Sequence, residues 1–114
     1  MVNDFNLEAE QKDNCLVMKT FGYINNVGGQ KIVDEFYKYS KEGINNFVLN
    51  LAESKIVNSI GISYLIEVIE KLNNTQGKLI FTDLDPTIEK TFTIMGLFQF
   101  AEKADTVENA LGMI

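Results

Sequence analysis

Histidine is absent from this chain of 114 residues, and cysteine occurs only once, at Cys15. Without histidine the chain lacks the usual general base and the commonest metal ligand, which excludes Ser–His and Cys–His catalysis. A single cysteine can form neither an intramolecular disulfide nor a thiolate cluster for a metal. Because Cys15 lies in the apolar run CLVM at 15–18, we predict a buried structural thiol. We expect no metal, no cofactor and no hydrolytic activity.

Basic residues are also few, since ten lysines and arginines face sixteen aspartates and glutamates, for a net charge of −6. This balance weighs against binding to nucleic acid and against docking on anionic membranes. No apolar run approaches the ~20 residues that span a bilayer. The segment 1–5, MVNDF, has neither the positive patch nor the apolar run of a signal peptide. We expect a cytoplasmic protein with a single domain over residues 1–114, as a monomer or weak dimer.

The spacing of the apolar residues predicts an opening hairpin followed by alternating helices and strands. Such alternation implies crossover connections and a mainly parallel sheet. The predicted class is therefore α/β, with about five strands and about four helices in one domain. Asn25 and Asn26 interrupt the apolar pattern before the first helix. The predicted strands are 5–9, 15–21, 47–51, 78–82 and 98–101, and the predicted helices are 29–41, 59–73, 86–95 and 106–114.

Two of the later helices have recognisable starts. Asp85 followed by Pro86 pairs an N-cap with a residue suited to the first helical position. Asp105 and Glu108 have the spacing of a capping box, with aspartate as the cap. The apolar face predicted for this last helix consists of Val107, Ala110, Leu111 and Ile114.

Three acidic residues follow the strand at 78–82 and are candidates for chemistry. Asp83, Asp85 and Glu89 offer the oxygen ligands of a magnesium site or an acid–base pair. The simpler interpretation is favoured, in which Asp85 caps the helix and Asp83 closes the strand. The segment GGQK at 28–31 lacks the spacing and the hydroxyl residue of a phosphate-binding loop.

An apolar cluster of Met95, Leu97, Phe98 and Phe100 lies near a predicted surface connection. Core packing is the favoured interpretation. The alternative is that part of the cluster stays exposed and forms a docking patch.

Ser59 and Ser63 lie four residues apart at the start of a predicted helix, so they share one face. A helix N-terminus has unpaired N–H groups and partial positive charge, and it therefore tolerates an anion. Composition alone favours Ser59 as a plain N-cap and Ser63 as a tolerated polar residue. The alternative is a hydroxyl that a kinase converts to a phosphate.

Two segments resemble the signature of the STAS family, the domain of bacterial anti-sigma-factor antagonists and sulfate transporters. The first is VLNLAESKIVNSIGI at 48–62, similar to a V-L-D-L strand followed by a D-S-S-G-L-G turn. Asn58 stands at the aspartate, Ser59 at the phosphorylated serine and Gly61 at the glycine. The second is GLF at 96–98 followed by DTVENAL at 105–111, similar to the closing pattern of the family. The resemblance covers essentially the whole chain.

The resemblance implies a non-enzymatic switch that binds a serine-kinase anti-sigma factor and so releases a sigma factor. Ser59 would be phosphorylated, with Ser63 as second candidate, and a phosphatase would reset the cycle. The partner-binding residues that it implies are Asn25, Asn58, Ser59, Ile60, Gly61, Ile62 and Ser63. One alternative is a STAS module that binds a protein or small ligand without phosphorylation, and a weaker one is an enzyme using Asp83 and Asp85.

Overall fold

The computed structural model of the protein describes residues 5–114, whose strands and helices follow the order β-β-α-β-α-β-α-β-α. The strands are β1 (Asn6–Lys12), β2 (Cys15–Phe21), β3 (Asn46–Glu53), β4 (Lys78–Thr82) and β5 (Glu102–Ala104). The helices are α1 (Asn26–Ser40), α2 (Ser59–Asn73), α3 (Pro86–Ile94) and α4 (Val107–Leu111), and a turn of 3-10 helix, Leu97–Gln99, follows α3. The prediction that the segment 1–5 is not a signal peptide rests mostly on residues 1–4, which lie outside the described part. Within residues 5–114 no helix has the length and apolar character needed to cross a membrane.

The five strands form one sheet in the order β1-β2-β3-β4-β5. β1 and β2 are antiparallel and are joined by a tight turn in which Asp13 adopts a φ of 57°. The other neighbours are parallel, because a helix carries the chain back between them. The predicted α/β class, with a mainly parallel sheet of five strands and four helices, is confirmed.

The two faces of the sheet are covered unequally. Alternate strand residues on one face join the buried sides of α1, α2 and α3 in the main core, which includes Phe36, Phe47 and Phe81. The other face carries the small α4 over Cys15, Val48 and Ile80. Cys15 is buried as predicted, and burial raises the pKa of its thiol. The large helices α1 and α2 thus share one face of the sheet.

Three predicted elements, β2, α2 and β4, have the observed bounds, whereas the predicted strand at 98–101 is wrong. Gly96 adopts a φ of 80° and leads the chain into the 3-10 turn. Phe98 then packs against Phe81 and Phe92, with ring centroids 6.1 and 6.2 Å away. The strand β5 forms only afterwards, at Glu102–Ala104. Because Phe98 packs into this aromatic cluster, the last strand begins four residues later than predicted.

The start of α4 also differs from prediction. Thr106, and not Asp105, is the N-cap, and its hydroxyl accepts a hydrogen bond from the Asn109 N–H at 3.1 Å. The Asp105 carbonyl instead accepts a hydrogen bond from the Asp83 N–H at 3.2 Å, just beyond the paired ends of β4 and β5. The helix ends at Leu111, so Ile114 lies beyond it and is exposed, contrary to the predicted apolar face.

The first helix begins three residues earlier than predicted. The side chain of Asn25 accepts hydrogen bonds from the N–H groups of Val27 and Gly28, at 3.0 and 3.1 Å. Asn25 is therefore an N-cap and not the pattern break expected from sequence. Gly28 and Gly29 lie in the first turn, where a Cβ on Gly29 would come within 2.4 Å of the Tyr64 ring. Close packing of α1 on α2 accounts for glycine at this point.

Candidate functional site

The N-termini of α1 and α2 lie side by side at one end of the sheet. An isolated parallel bridge joins Ile24 to Val57, just ahead of the two helices. The Ile24 N–H donates to the Ile56 carbonyl at 3.0 Å, and the Asn58 N–H donates to the Ile24 carbonyl at 3.1 Å. Asn25 and Asn58, the two N-caps, are thereby held next to each other. We call this end, formed by residues 24–28 and 56–61, the paired N-termini.

Gly61 permits this close approach. A Cβ at this position would lie 2.1 Å from the Ile24 carbonyl oxygen, a contact that no side chain can make. The neighbouring atoms belong mainly to backbone, and the Ile24 carbonyl is already engaged by Asn58. The glycine of the family-like segment therefore has a packing role here and brings α2 against the strand-like segment at Ile24.

Ser59 is the first residue of α2, and its side chain is exposed. The interpretation of Ser59 as a plain N-cap is wrong, because Asn58 holds that position and accepts the Gly61 N–H at 2.8 Å. Within residues 5–114 the Ser59 hydroxyl has no hydrogen-bond partner. The hydroxyl of Ser63, also exposed, donates to the Ile60 carbonyl at 2.6 Å. Of the two candidate serines, Ser59 therefore presents the less engaged hydroxyl.

The paired N-termini are suited to an anion. The first turns of α1 and α2 contain no acidic residue, whereas those of α3 and α4 contain Glu89 and Glu108. In the described part of the chain the N–H groups of Ser59 and Ile60 have no acceptor. The helices α1 and α2 have 15 residues each, and the N-terminus of such a helix carries partial positive charge. A negative group on Ser59 would meet free donors and no like charge in either first turn.

Three exposed apolar side chains belong to the paired N-termini, where Ser59 also lies. Val27 in α1, Ile60 in α2 and Ile56 in the preceding loop are all exposed. Sequence reasoning missed Val27 and Ile56, because isolated apolar residues beside a turn give no signal that separates surface from core. Large apolar side chains grouped on a surface are typical of protein–protein contact. This patch adds two residues to the partner-binding set implied by resemblance.

The seven residues of that set divide into three groups by their exposure. Ser59, Ile60 and Ser63 are exposed, and Asn25 and Asn58 are half-buried as caps. Gly61 and Ile62 are buried and face the core, so they position the surface and offer no side chain to a partner. The structure therefore brings all seven together at one end of α2.

The acidic cluster has structural roles. Asp85 caps α3 by accepting the Thr87 N–H at 3.1 Å, as the favoured interpretation predicted. Glu89 forms an ion pair with Lys103 at 2.6 Å. Asp83 adopts a φ of 56° at the end of β4, where its N–H donates to Asp105. Among the residues that the structure describes, no group of three or more acidic or cysteine side chains is placed to hold a metal ion.

Comparison with known proteins places this architecture in a family. The sequence matches the STAS domain over residues 6–110. The chain belongs to the STAS domain family, as its two sequence segments suggested.

Several relatives have names that describe regulatory proteins. The chain is 24% identical over 104 residues to "Putative anti-sigma factor antagonist BtrV" of Bordetella bronchiseptica, covering 91% of this chain and 90% of that protein. Its fold is similar to that of an anti-sigma factor antagonist from Mycobacterium paratuberculosis, with a TM-score of 0.84 at 19% identity over 97% of this chain and 94% of the other. It is also similar to the Bacillus cell fate determinant SpoIIAA in its phosphorylated form, with a TM-score of 0.74 at 22% identity over 96% and 98% of the two chains.

The assignment of the N-cap to Asn58, and not to Ser59, gives a testable prediction of stability. Asn58→Ala removes the side-chain acceptor for the Gly61 N–H and should lower the free energy of unfolding by about 1 kcal/mol. Ser59→Ala should change it by less than about 0.5 kcal/mol, because the exposed hydroxyl has no partner in the described structure. Urea denaturation of the two variants measures both values. A larger loss for Ser59→Ala than for Asn58→Ala would contradict this assignment of the cap.

Proposed function

We propose that this protein is an anti-sigma-factor antagonist whose binding is switched by phosphorylation of Ser59. The unphosphorylated form binds a serine-kinase anti-sigma factor and so releases a sigma factor. The kinase then phosphorylates Ser59, the complex dissociates, and a phosphatase restores the hydroxyl. The single observation that carries this proposal is the exposed, unengaged hydroxyl of Ser59 at the paired N-termini.

In the phosphorylation step, the Ser59 oxygen attacks the γ-phosphorus of ATP held by the kinase. The new oxygen–phosphorus bond replaces the bond to ADP, and the hydroxyl proton passes to a base of the kinase. This chain supplies only the acceptor, so it is a substrate in the cycle and not the enzyme. An exposed hydroxyl with no competing hydrogen bond suits that role.

The phosphate acts on the interface more than on the fold. It adds a charge of about −2 beside free N–H groups and a positive helix end, which accommodate it. The exposed side chains of Val27, Ile56 and Ile60 form the apolar surface that a partner would cover around Ser59. Burying a phosphate in such a contact without a partner charge is unfavourable. Release of the kinase follows from this cost.

Other features agree with a cytoplasmic regulator that binds protein. The net charge of −6 is unsuited to nucleic acid and anionic membranes. The names of BtrV and of the Mycobacterium structure include anti-sigma factor antagonist, and SpoIIAA has a phosphorylated form. We expect the free protein to be a monomer or weak dimer.

One observation favours a second candidate, a STAS module that binds its partner without phosphorylation. Asn58 stands where the resemblance expects aspartate, and the bulky Ile60 is exposed beside the acceptor. Both residues change the surface that a kinase would read. In this case the paired N-termini still dock a protein or small ligand, and Ser59 stays unmodified.

Phosphopeptide mapping separates the two candidates. The protein is incubated with ATP and the anti-sigma-factor kinase encoded in the same genome, then digested with trypsin. Both serines fall in one peptide, 56–71, because Lys55 and Lys71 flank them. Fragment ions between Ile60 and Ser63 then assign the phosphate, and Ser63→Ala is the matched control.

We expect phosphate on Ser59 in the native chain and in Ser63→Ala, and none in Ser59→Ala. Phosphate on Ser63 alone would move the switch by one helical turn. Binding of the kinase without phosphate on either serine would support the second candidate.

A further inference from the structure

A groove of about 570 Å³ lies between the C-terminal half of α2 and the segment that follows α3. Its apolar walls are Ile66 and Ile69 of α2 together with Met95, Leu97 and Phe100. The phosphorylation proposal makes no use of this region. Along α2, about 20 Å of helix separates Ser59 from Asn73 at the other end. The groove and the paired N-termini are therefore distinct surfaces.

The apolar cluster singled out from sequence divides at this groove. Leu97 is buried, and Phe98 packs into the core against Phe81 and Phe92. Met95 and Phe100, however, are 51% and 65% exposed, and the adjacent Ile94 is 73% exposed. The core interpretation thus holds for half of the cluster, and the docking interpretation suits the rest. Exposed apolar residues around a concave surface mark interaction sites.

The electrostatics of the groove are opposite in sign to those of the paired N-termini. Glu70 is the one charged residue of the lining, and no lysine or arginine is part of it. The C-termini of α2 and α3 both reach the groove, at Asn73 and Met95. The last turn of α3 contains no basic residue to offset its partial negative charge. The last turn of α2 contains Lys71, but this residue is not part of the groove lining. The groove therefore favours a cationic occupant.

The length of the groove suits a helix. From Ile66 to Asn73 it follows about two turns of α2, or roughly 10 Å. An amphipathic partner helix places apolar anchors at i, i+3 or i+4, and i+7 over that distance. Methionine and phenylalanine at the rim can adapt to such anchors. A second copy of this chain is disfavoured, because it would bring another acidic surface of net charge −6.

We infer that this groove docks a partner protein through an amphipathic helix whose apolar face is flanked by lysine or arginine. The apolar face covers the exposed Met95 and Phe100, and the basic flank meets Glu70 and the helix C-termini. This inference does not depend on phosphorylation of Ser59. One chain can then hold two partners at opposite ends of α2.

Two model peptides test the inference. Each has about 14 residues, four turns of helix, with leucines at i, i+3 or i+4, and i+7. One peptide carries lysines beside the leucines, and the other has the same leucines with glutamates in place of the lysines. Titration into ¹⁵N-labelled protein gives both affinity and location from amide chemical shifts. We expect the lysine peptide to shift amides of 66–74 and 95–100 and to bind about tenfold more tightly than the glutamate peptide.

Three variants locate the contact. Met95→Asp should reduce the affinity for the lysine peptide about tenfold or more, and Glu70→Lys should remove the preference for it. Both side chains are exposed, and thermal unfolding checks that each variant is folded. Ile56→Asp is the matched control, since Ile56 is also more than half exposed but lies at the paired N-termini, and it should leave binding within about twofold. Equal affinity of the two peptides, shifts confined to 24–28 and 56–61, or no binding at about 1 mM would overturn the inference.

Discussion

Gly61→Ala is expected to lower the free energy of unfolding by about 3 kcal/mol, the upper part of the range for overpacked sites. The added Cβ would lie 2.1 Å from the Ile24 carbonyl oxygen, which also accepts the Asn58 N–H. Relief requires α2 to move away from Ile24, which breaks the bridge between Ile24 and Val57. The better helix propensity of alanine, about 1 kcal/mol, offsets only part of this cost. The midpoint of thermal unfolding, Tm, should fall by about 10 °C.

Gly112→Ala is the matched control for this experiment. Its Cβ would meet the Asn109 carbonyl at 3.4 Å, an ordinary contact, and Gly112 has a φ of −72° that alanine adopts freely. We expect a change of less than about 0.5 kcal/mol. If Gly61→Ala were as stable as Gly112→Ala, the close approach of α2 to Ile24 would be refuted.

Ser59→Asp is expected to preserve the fold and to weaken binding to the kinase by about thirtyfold or more. This loss corresponds to ~2–5 kcal/mol for a lost interfacial hydrogen bond and a desolvated charge. A carboxylate in the first turn of α2 interacts favourably with the helix dipole, so the variant should be at least as stable as the native chain. Isothermal titration with the kinase and ADP measures the affinity, and urea denaturation measures stability.

Two controls separate charge from position in this experiment. Ser59→Asn introduces a side chain of nearly the same shape as Ser59→Asp but without the charge, and it should retain more of the affinity for the kinase. Ser63→Asp adds the same charge one turn further along an exposed face, and we expect a smaller loss. Equal losses for Ser59→Asp and Ser59→Asn would show that size, and not charge, governs the contact.

Sequence patterns predicted the elements whose signals are local. β2 and β4 are short, mostly apolar runs and α2 has helical apolar spacing; each lies between residues typical of turns or loops, and the predicted bounds agree with the structure. The cap at Asp85 was equally predictable, since within a helix Pro86 suits only the first turn. The position of Ser59 at the first residue of α2 follows from the same local pattern.

Features that depend on long-range packing were not predictable. Asn25 is as typical of a loop as of a cap, and the glycines at 28 and 29 disfavour a helix unless distant residues, such as Tyr64 at Gly29, pack against them. The parallel bridge from Ile24 to Val57 joins segments that are distant in sequence. The displacement of β5 likewise depends on where Phe98 finds its aromatic neighbours. The candidate serine could be named from sequence, but not the second helix end beside it.

The two caps at the paired N-termini are both amides, and this has a consequence for what the domain can sense. Asn25 and Asn58 neither gain nor lose a proton in water near neutral pH, unlike an aspartate or histidine in the same place. Their hydrogen bonds to the first turns are therefore unaffected by acidification of the cell. Changes in acidity near neutral pH therefore leave both caps in place, and under the proposed function it is the covalent mark on Ser59 that alters this end of the molecule.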